Sequence, residues 1–146
     1  MRLSTKSRFS LRLLIQIGLS EGGTSPVKGK DLAKTQDISE AYIEQIMIPL
    51  KGAGIIGTIR GCNGGYILNK LPAEITILDL IELFEGKIAF ADCHIHGKKY
   101  CNRIETCPTQ KIWDRLSGNL RNDARQITLQ SILDKMRTKK TEEYVI

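Results

Sequence analysis

From Asp37 to Tyr66 the chain reads DISEAYIEQIMIPLKGAGIIGTIRGCNGGY, and these residues decide the fold. Asp37-Ile38-Ser39 makes a tight turn, because Asp tolerates the left-handed backbone that such turns need. Ser39 is a good N-cap, and Ile43, Ile46 and Leu50 form an apolar stripe, so a helix is predicted from Glu40 toward Gly52. Pro49 lies inside it and is expected to kink or split it. The pattern then changes. Ile55, Ile56 and Ile59 are β-branched and predict a strand, Arg60 to Gly65 is a turn-rich tip, and Tyr66-Ile67-Leu68 is the returning strand. Pro72 closes this hairpin.

Upstream, Phe9, Leu13 and Ile17 recur at four-residue steps, so Thr5 to about Ser20 reads as a helix ended by Gly22 and Gly23. A second, short helix is expected over Val27 to Gln36, with Leu32 and Ala33 buried and Gly29 weakening it. It meets the next helix at Asp37-Ile38, a helix–turn–helix arrangement. Residues at the start of the later helix, Ser39, Glu40, Ala41, Tyr42, Glu44 and Gln45, are of the kind that meet base edges and phosphates. Gln pairs with adenine, and Glu accepts from a cytosine amino group. A solvated helical hairpin reads equally well from these residues alone. The hairpin beyond shifts the balance, because Arg60 beside a glycine-rich tip suits a narrow, electronegative minor groove. A helix–turn–helix followed directly by such a hairpin is a winged helix. Gly52, Gly54 and Gly57 match a dinucleotide-binding spacing, but they follow a helix and open a hairpin, the inverse of the context that motif requires.

Downstream, Thr76 and Asp79 form a capping box for a helix running to Phe84. Glu85 to about Pro108 is a long loop holding three cysteines and both histidines, and loops of that length usually carry a function or a staple. A helix from about Thr109 to Asn122 or beyond carries Trp113, Leu116, Leu120 and Ile127 at spacings suited to a packing seam. Thr128 to Met136 is a last amphipathic helix, and the polar tail from Arg137 is expected to fray, with Tyr144-Val145-Ile146 able to dock. The fold class is therefore mostly α with a small β-hairpin wing.

Composition bounds the function. The 146 residues are one domain's worth, with 41% hydrophobic and 26% charged residues. Lys plus Arg total 22 against 16 Asp plus Glu, a net charge of +6, which attracts nucleic acid or anionic lipid. No apolar run reaches the roughly 18 residues of a membrane span. The early apolar stretch is interrupted by Arg12 and Gln16 with no cleavage signal after it, so a cytoplasmic protein is expected. G-x-S-x-G, H-E-x-x-H and P-loop motifs are absent from the sequence, which speaks against an enzyme. Clustered cysteines in such a chain favour metal over disulfides. The spacing Cys93-x7-Cys101-x5-Cys107 offers three thiolates, suited to an iron–sulfur cluster or to zinc and leaving one coordination position open. Three reduced, unliganded thiols are the plain alternative.

Met1-Arg2-Leu3-Ser4-Thr5-Lys6, Ser39-x-x-Tyr42-Ile43-Glu44-Gln45-Ile46, Pro49-Leu50-Lys51-x-Ala53-Gly54 and Arg60-Gly61-x-x-Gly64-Gly65-Tyr66, followed by the three cysteines, together resemble one family. It is the winged-helix bacterial regulators that include IscR, NsrR and CymR, and the likeness runs to about Met136. The resemblance implies a homodimer on a pseudo-palindromic double-stranded DNA operator, with the helix after the cysteines as dimer interface. Carried over, the DNA contacts are Ser39, Tyr42, Glu44, Gln45 and Arg60. The implied organisation is a DNA-binding unit over 1–86, a cluster-binding loop over 87–108, dimerisation and C-terminal helices over 109–137, and a tail over 138–146. Ala41 and Cys62 depart from the residues common at their positions.

The likeness also implies a 2Fe–2S cluster on Cys93, Cys101 and Cys107, serving as a sensor of iron–sulfur, redox or nitric-oxide status. The first cysteine gap here has seven residues, where the familiar relatives have five. The family's usual fourth ligands are missing too, since Gln110 and Arg8 stand where a His or an acid would serve. His96 and His94 are the candidates, with Glu105 or a group of the partner subunit behind them. The rival readings are a cluster-free, CymR-like repressor, a zinc-stapled interaction module and an iron–sulfur electron carrier. The last needs neither recognition helix nor wing.

Overall fold

A computed structural model describes residues 2–143, and Met1 and Tyr144-Val145-Ile146, with the docking expected of that terminus, lie outside the described residues. Nine elements follow one another: α1 (Thr5–Leu19), α2 (Gly29–Gln36), α3 (Glu40–Gly52), β1 (Ile56–Ile59), β2 (Gly65–Leu68), α4 (Ile77–Glu85), α5 (Cys93–His96), α6 (Gln110–Gln126) and α7 (Leu129–Glu143). Ser4 caps α1 by accepting the Ser7 N–H at 3.2 Å. Thr76 and Asp79 form the expected capping box of α4. Asp37 takes the left-handed turn between α2 and α3 at φ 54°.

The main core draws on almost every element. Leu13, Leu14 and Ile17 of α1 meet Leu32 of α2, then Ile43, Ile46, Met47 and Leu50 of α3. Ile56 of the wing, Leu80 of α4, and Leu129 and Leu133 of α7 close it. Each fully buried Leu or Ile contributes about 1.5–3 kcal/mol relative to exposure. A second cluster, Leu78 and Ile81 of α4 with Ile88 of the following loop and Ala124 of α6, fastens α6 to α4.

Four expectations need correction. α2 starts at Gly29, because the Val27 backbone is taken by the wing: its N–H donates to Tyr66 O at 3.0 Å and its carbonyl accepts from Tyr66 N at 2.8 Å. Pro49 does not split α3, since it lies in the last turn and the helix runs on to Gly52. The 85–108 segment is not bare loop: it contains α5 and a 3₁₀ turn over Gly97–Lys99. The last helix does not fray at Arg137 but continues to Glu143. Its first turns are anchored where Leu129 N–H donates to Ile75 O at 2.8 Å, and Leu133 is buried against Gly18.

β1 and β2 pair antiparallel from Ile56 opposite Leu68 to Ile59 opposite Gly65. The base of this wing is pinned by Asn69 N–H donating to Ile55 O at 2.9 Å.

Candidate nucleic-acid interface and cysteine loop

Ser39 caps α3, its hydroxyl accepting the Tyr42 N–H at 3.1 Å, and stays solvent-exposed. Tyr42 is half-buried, its ring edge-on to Phe9 at 6.0 Å between centroids, so α1 holds the start of α3 in place. Glu44 and Gln45 are exposed on α3, and Arg60 is exposed at the wing with no ion-pair partner among the described residues. The five residues taken as DNA contacts thus lie on α3 with its cap and on the adjoining wing, both packed on one core.

Two features escaped the sequence reading. Lys30 and Lys34 of α2 line a groove of about 530 Å³ with Asp37, Ser39 and Glu40. The signal was available, since lysines four apart on a helix share a face. Glu44 also faces the wing, lining a crevice of about 200 Å³ with Lys51, Thr58 and Tyr66. Burial, and then the Glu44 charge, raise the Tyr66 hydroxyl above its ordinary pKa of 10.0. The recognition helix and the wing are therefore neighbours in charge as well as in packing.

Cys93, Cys101 and Cys107 are all free thiols and all half-exposed. Cys107 sits 3.3 Å from the Thr109 hydroxyl. That hydrogen bond, with help from the Thr109 and Gln110 backbone, lowers its thiol below the ordinary 9.0. A depressed thiol holds more thiolate, the form that binds metal. The donor types and chain order therefore suit a cluster, but their placement does not assemble one. Among the described residues no three His, Cys, Asp or Glu side chains gather into a group that could hold a metal ion.

The candidate fourth ligands are differently placed. His94 has Nδ1 3.6 Å from Asp114 Oδ1 of α6, and its side chain is 11% exposed. His96 is exposed, its ring 5.9 Å from that of Tyr100. Glu105 pairs with Lys98 at 2.5 Å. His96 is thus the more accessible of the two histidines.

On α6, Ile112, Trp113 and Leu116 are exposed large apolar side chains. Leu120 is partly buried against the second cluster. The expected seam thus splits, with one edge inside the chain and the other open. No described helix is long and apolar enough to cross a membrane.

Known proteins share this arrangement. The profile of the Rrf2 family, described as an iron-dependent transcriptional regulator, matches residues 3–135. The HTH-type transcriptional regulator IscR of Cronobacter sakazakii is 31% identical over 135 residues, 92% of this chain and 81% of its own. Among solved structures, CymR, the global cysteine regulator of Bacillus subtilis, superposes with a TM-score of 0.73 at 30% identity, covering 92% of this chain and 98% of that one. IscR of T. potens superposes at 0.72 and 27% identity, covering 93% and 88%. The matched span takes in α3, the wing and the cysteine loop, and this chain belongs to the Rrf2 family, a transcriptional regulator and not an enzyme.

Proposed function

We propose that this chain is a cytoplasmic, homodimeric regulator that binds a double-stranded operator and reports iron–sulfur, redox or nitric-oxide status through a 2Fe–2S cluster. The observation that carries it is the pairing of an exposed, polar recognition edge with three free thiols on a loop leading into α6. Ser39, Tyr42, Glu44 and Gln45 address the major groove, and Arg60 the minor groove. The DNA-binding unit spans 1–86 and the sensor loop 87–108. The open edge of α6, with Ile112, Trp113 and Leu116, meets a second copy, because an exposed apolar stripe of that kind marks an interface. A two-fold dimer mirrors a pseudo-palindromic site.

Cys93, Cys101 and Cys107 would hold the cluster, with His96 or His94 as candidates for the open position. When bound, such a cluster supplies redox and ligand-exchange sensitivity. The chain's own part is to offer the thiolates, Cys107 most readily, and to close the loop around them. Loop closure over seven rather than five intervening residues adds little entropy.

A second reading is supported by the three thiols being free. A cluster-free, CymR-like repressor needs no three-donor group, and none is formed among the described residues. Anaerobic purification, a visible spectrum and analysis for iron, sulfide and zinc on one sample decide between them. Iron and sulfide at about two each per chain, lost in Cys93→Ala, Cys101→Ala and Cys107→Ala, are expected for the cluster. Zinc at about one per chain marks a structural staple. A colourless, metal-free protein that still binds DNA leaves the cluster-free repressor.

A further inference from the structure

Asp114, Ser117, Gly118 and Arg121 recur three and four residues apart, so they share one face of α6, distinct from the exposed apolar edge. That face borders a crevice of about 260 Å³ whose opposite wall includes Lys87 and His94. Ligand pockets run from about 300 to 1,000 Å³, so this one suits a small metabolite and not a nucleotide.

Three observations mark it as a built site. Gly118 stands in the middle of a helix, where glycine is the poorest residue after proline. A Cβ added there meets no atom within 4 Å, so packing does not demand the glycine and the space beside it is open. The His94 ring is nearly buried, its Nδ1 edge toward Asp114, and its Nε2 is buried with no partner among the described residues. A buried polar atom left without a partner points to a missing water or ligand. Lys87 and Arg121 bring positive charge to the same space. The Arg121 pairing with Glu82, at 2.8 Å from one nitrogen, leaves the rest of the guanidinium fork. Asp114 is mostly exposed and already faces His94.

We propose that this crevice binds a small oxyanion, a carboxylate or a phosphate ester, between the start of the cysteine loop and α6. Lys87 and the free edge of Arg121 recognise the charge, and His94 supplies a further hydrogen-bonding group. The occupant ties the loop to the helix that carries the exposed apolar edge. This site needs no cluster; with His94 turned to the crevice, the open position of a cluster falls to His96, and the anion titration is read without reference to metal content.

The test is a titration of the full chain with inorganic phosphate and, separately, acetate, with sodium chloride as ionic-strength control. The backbone amide signals of Lys87 and Gly118 are followed by NMR. A saturable shift confined to these residues and their neighbours is expected, with a dissociation constant of about 1 mM or tighter, and the anion that produces it names the source. Gly118→Leu fills the space and should abolish the shift. Lys87→Gln should weaken binding about tenfold with an unchanged circular dichroism spectrum. Should Gly118→Leu fail to fold, the exposed Lys87→Gln decides. No saturable shift with either anion, the same shift with chloride, or full binding by Lys87→Gln overturns the proposal.

Discussion

Gly64→Ala should disable the wing and spare the core. Gly64 is buried in the tip, and a Cβ there would overlap the Ile59 carbonyl oxygen, 2.8 Å from the Ile59 carbonyl carbon and 2.9 Å from that of Arg60. These are backbone atoms, so no side chain can swing aside. Forcing a methyl into such a space and shifting backbone costs about 1–3 kcal/mol. The base of the wing is well held, by Ile56 in the main core and by the bond from Asn69 to Ile55. Strain is therefore relieved at the tip, which carries Arg60, by local opening. Since 1 kcal/mol moves the melting temperature of a chain this size by about 2–4 °C, a fall of about 2–12 °C is the upper bound, reached only if the strain is not relieved locally. Operator affinity should suffer more. A specific side-chain contact to a base is worth about 1–3 kcal/mol, so the dissociation constant should rise about 5- to 150-fold. Fluorescence anisotropy on a duplex selected by the wild-type protein from a random pool, at fixed salt, gives the number, with Arg60→Ala measured alongside. Equal losses in the two variants support the wing-in-groove reading. Wild-type affinity in Arg60→Ala would refute it, and wild-type affinity in Gly64→Ala alone would show that the tip absorbs the methyl.

Ser39→Ala removes the acceptor for the Tyr42 N–H and should cost about 1 kcal/mol by denaturant titration, while Ser39→Asp should cost little. Glu85 accepts from Ser4 and Ser7, and these bonds, Ser4 first, hold its carboxyl below the ordinary 4.5. A depressed folded-state value means that the stabilisation is present above pH 4.5 and lost as pH falls through the lower value. The melting-temperature advantage of the wild type over Glu85→Gln should thus be steady at neutral pH and vanish in acid, and an advantage that persists in acid would show that Glu85 acts by packing instead. Trp113→Glu puts a charge on the exposed edge of α6 and should convert dimer to monomer in sedimentation without loss of helix signal. Dimers that survive it place the interface elsewhere.

The DNA-facing half was legible because local chemistry agrees with tertiary packing there. Ser39, Asp37 and the Thr76–Asp79 box each satisfy backbone groups within a few residues, and Ile43, Ile46 and Leu50 of α3 join α1 in the core just as their spacing predicts. What the sequence hid is what depends on distant partners. Val27 reads as helix by its neighbours, but the wing claims both of its backbone groups from 39 residues away. The polar run after Arg137 reads as tail, yet α7 is held by Leu129 and Leu133, which lie before it. The cysteine loop was legible in its chemistry and not in its geometry, since thiol spacing fixes which donors exist and not where a loop folds them. The α6 crevice was invisible for a similar reason: Asp114, Gly118 and Arg121 look like an ordinary solvated face until His94 and Lys87 are set against them.

The two apolar clusters constrain how the loop can influence DNA. The main core binds α1, α2, α3, the wing and α7 into one unit, and α6 is absent from its buried residues. α6 is held through the second cluster, with Ala124 against Leu78 and Ile81, and through the Arg121–Glu82 pair at 2.8 Å. α4 belongs to both, since Leu80 lies in the main core while Leu78 and Ile81 lie in the other. Its last residue, Glu85, is tied to the cap of α1 through Ser4 and Ser7, and the start of α1 supports α3 through Phe9 and Tyr42. Whatever moves α6, whether a cluster, a bound anion or a second subunit, reaches the recognition helix most directly by shifting α4. Packed interfaces of this kind change between discrete arrangements and do not bend continuously. A coupling of roughly 1–3 kcal/mol, the range typical of regulators, is what the route from α6 through α4 to α3 has to carry.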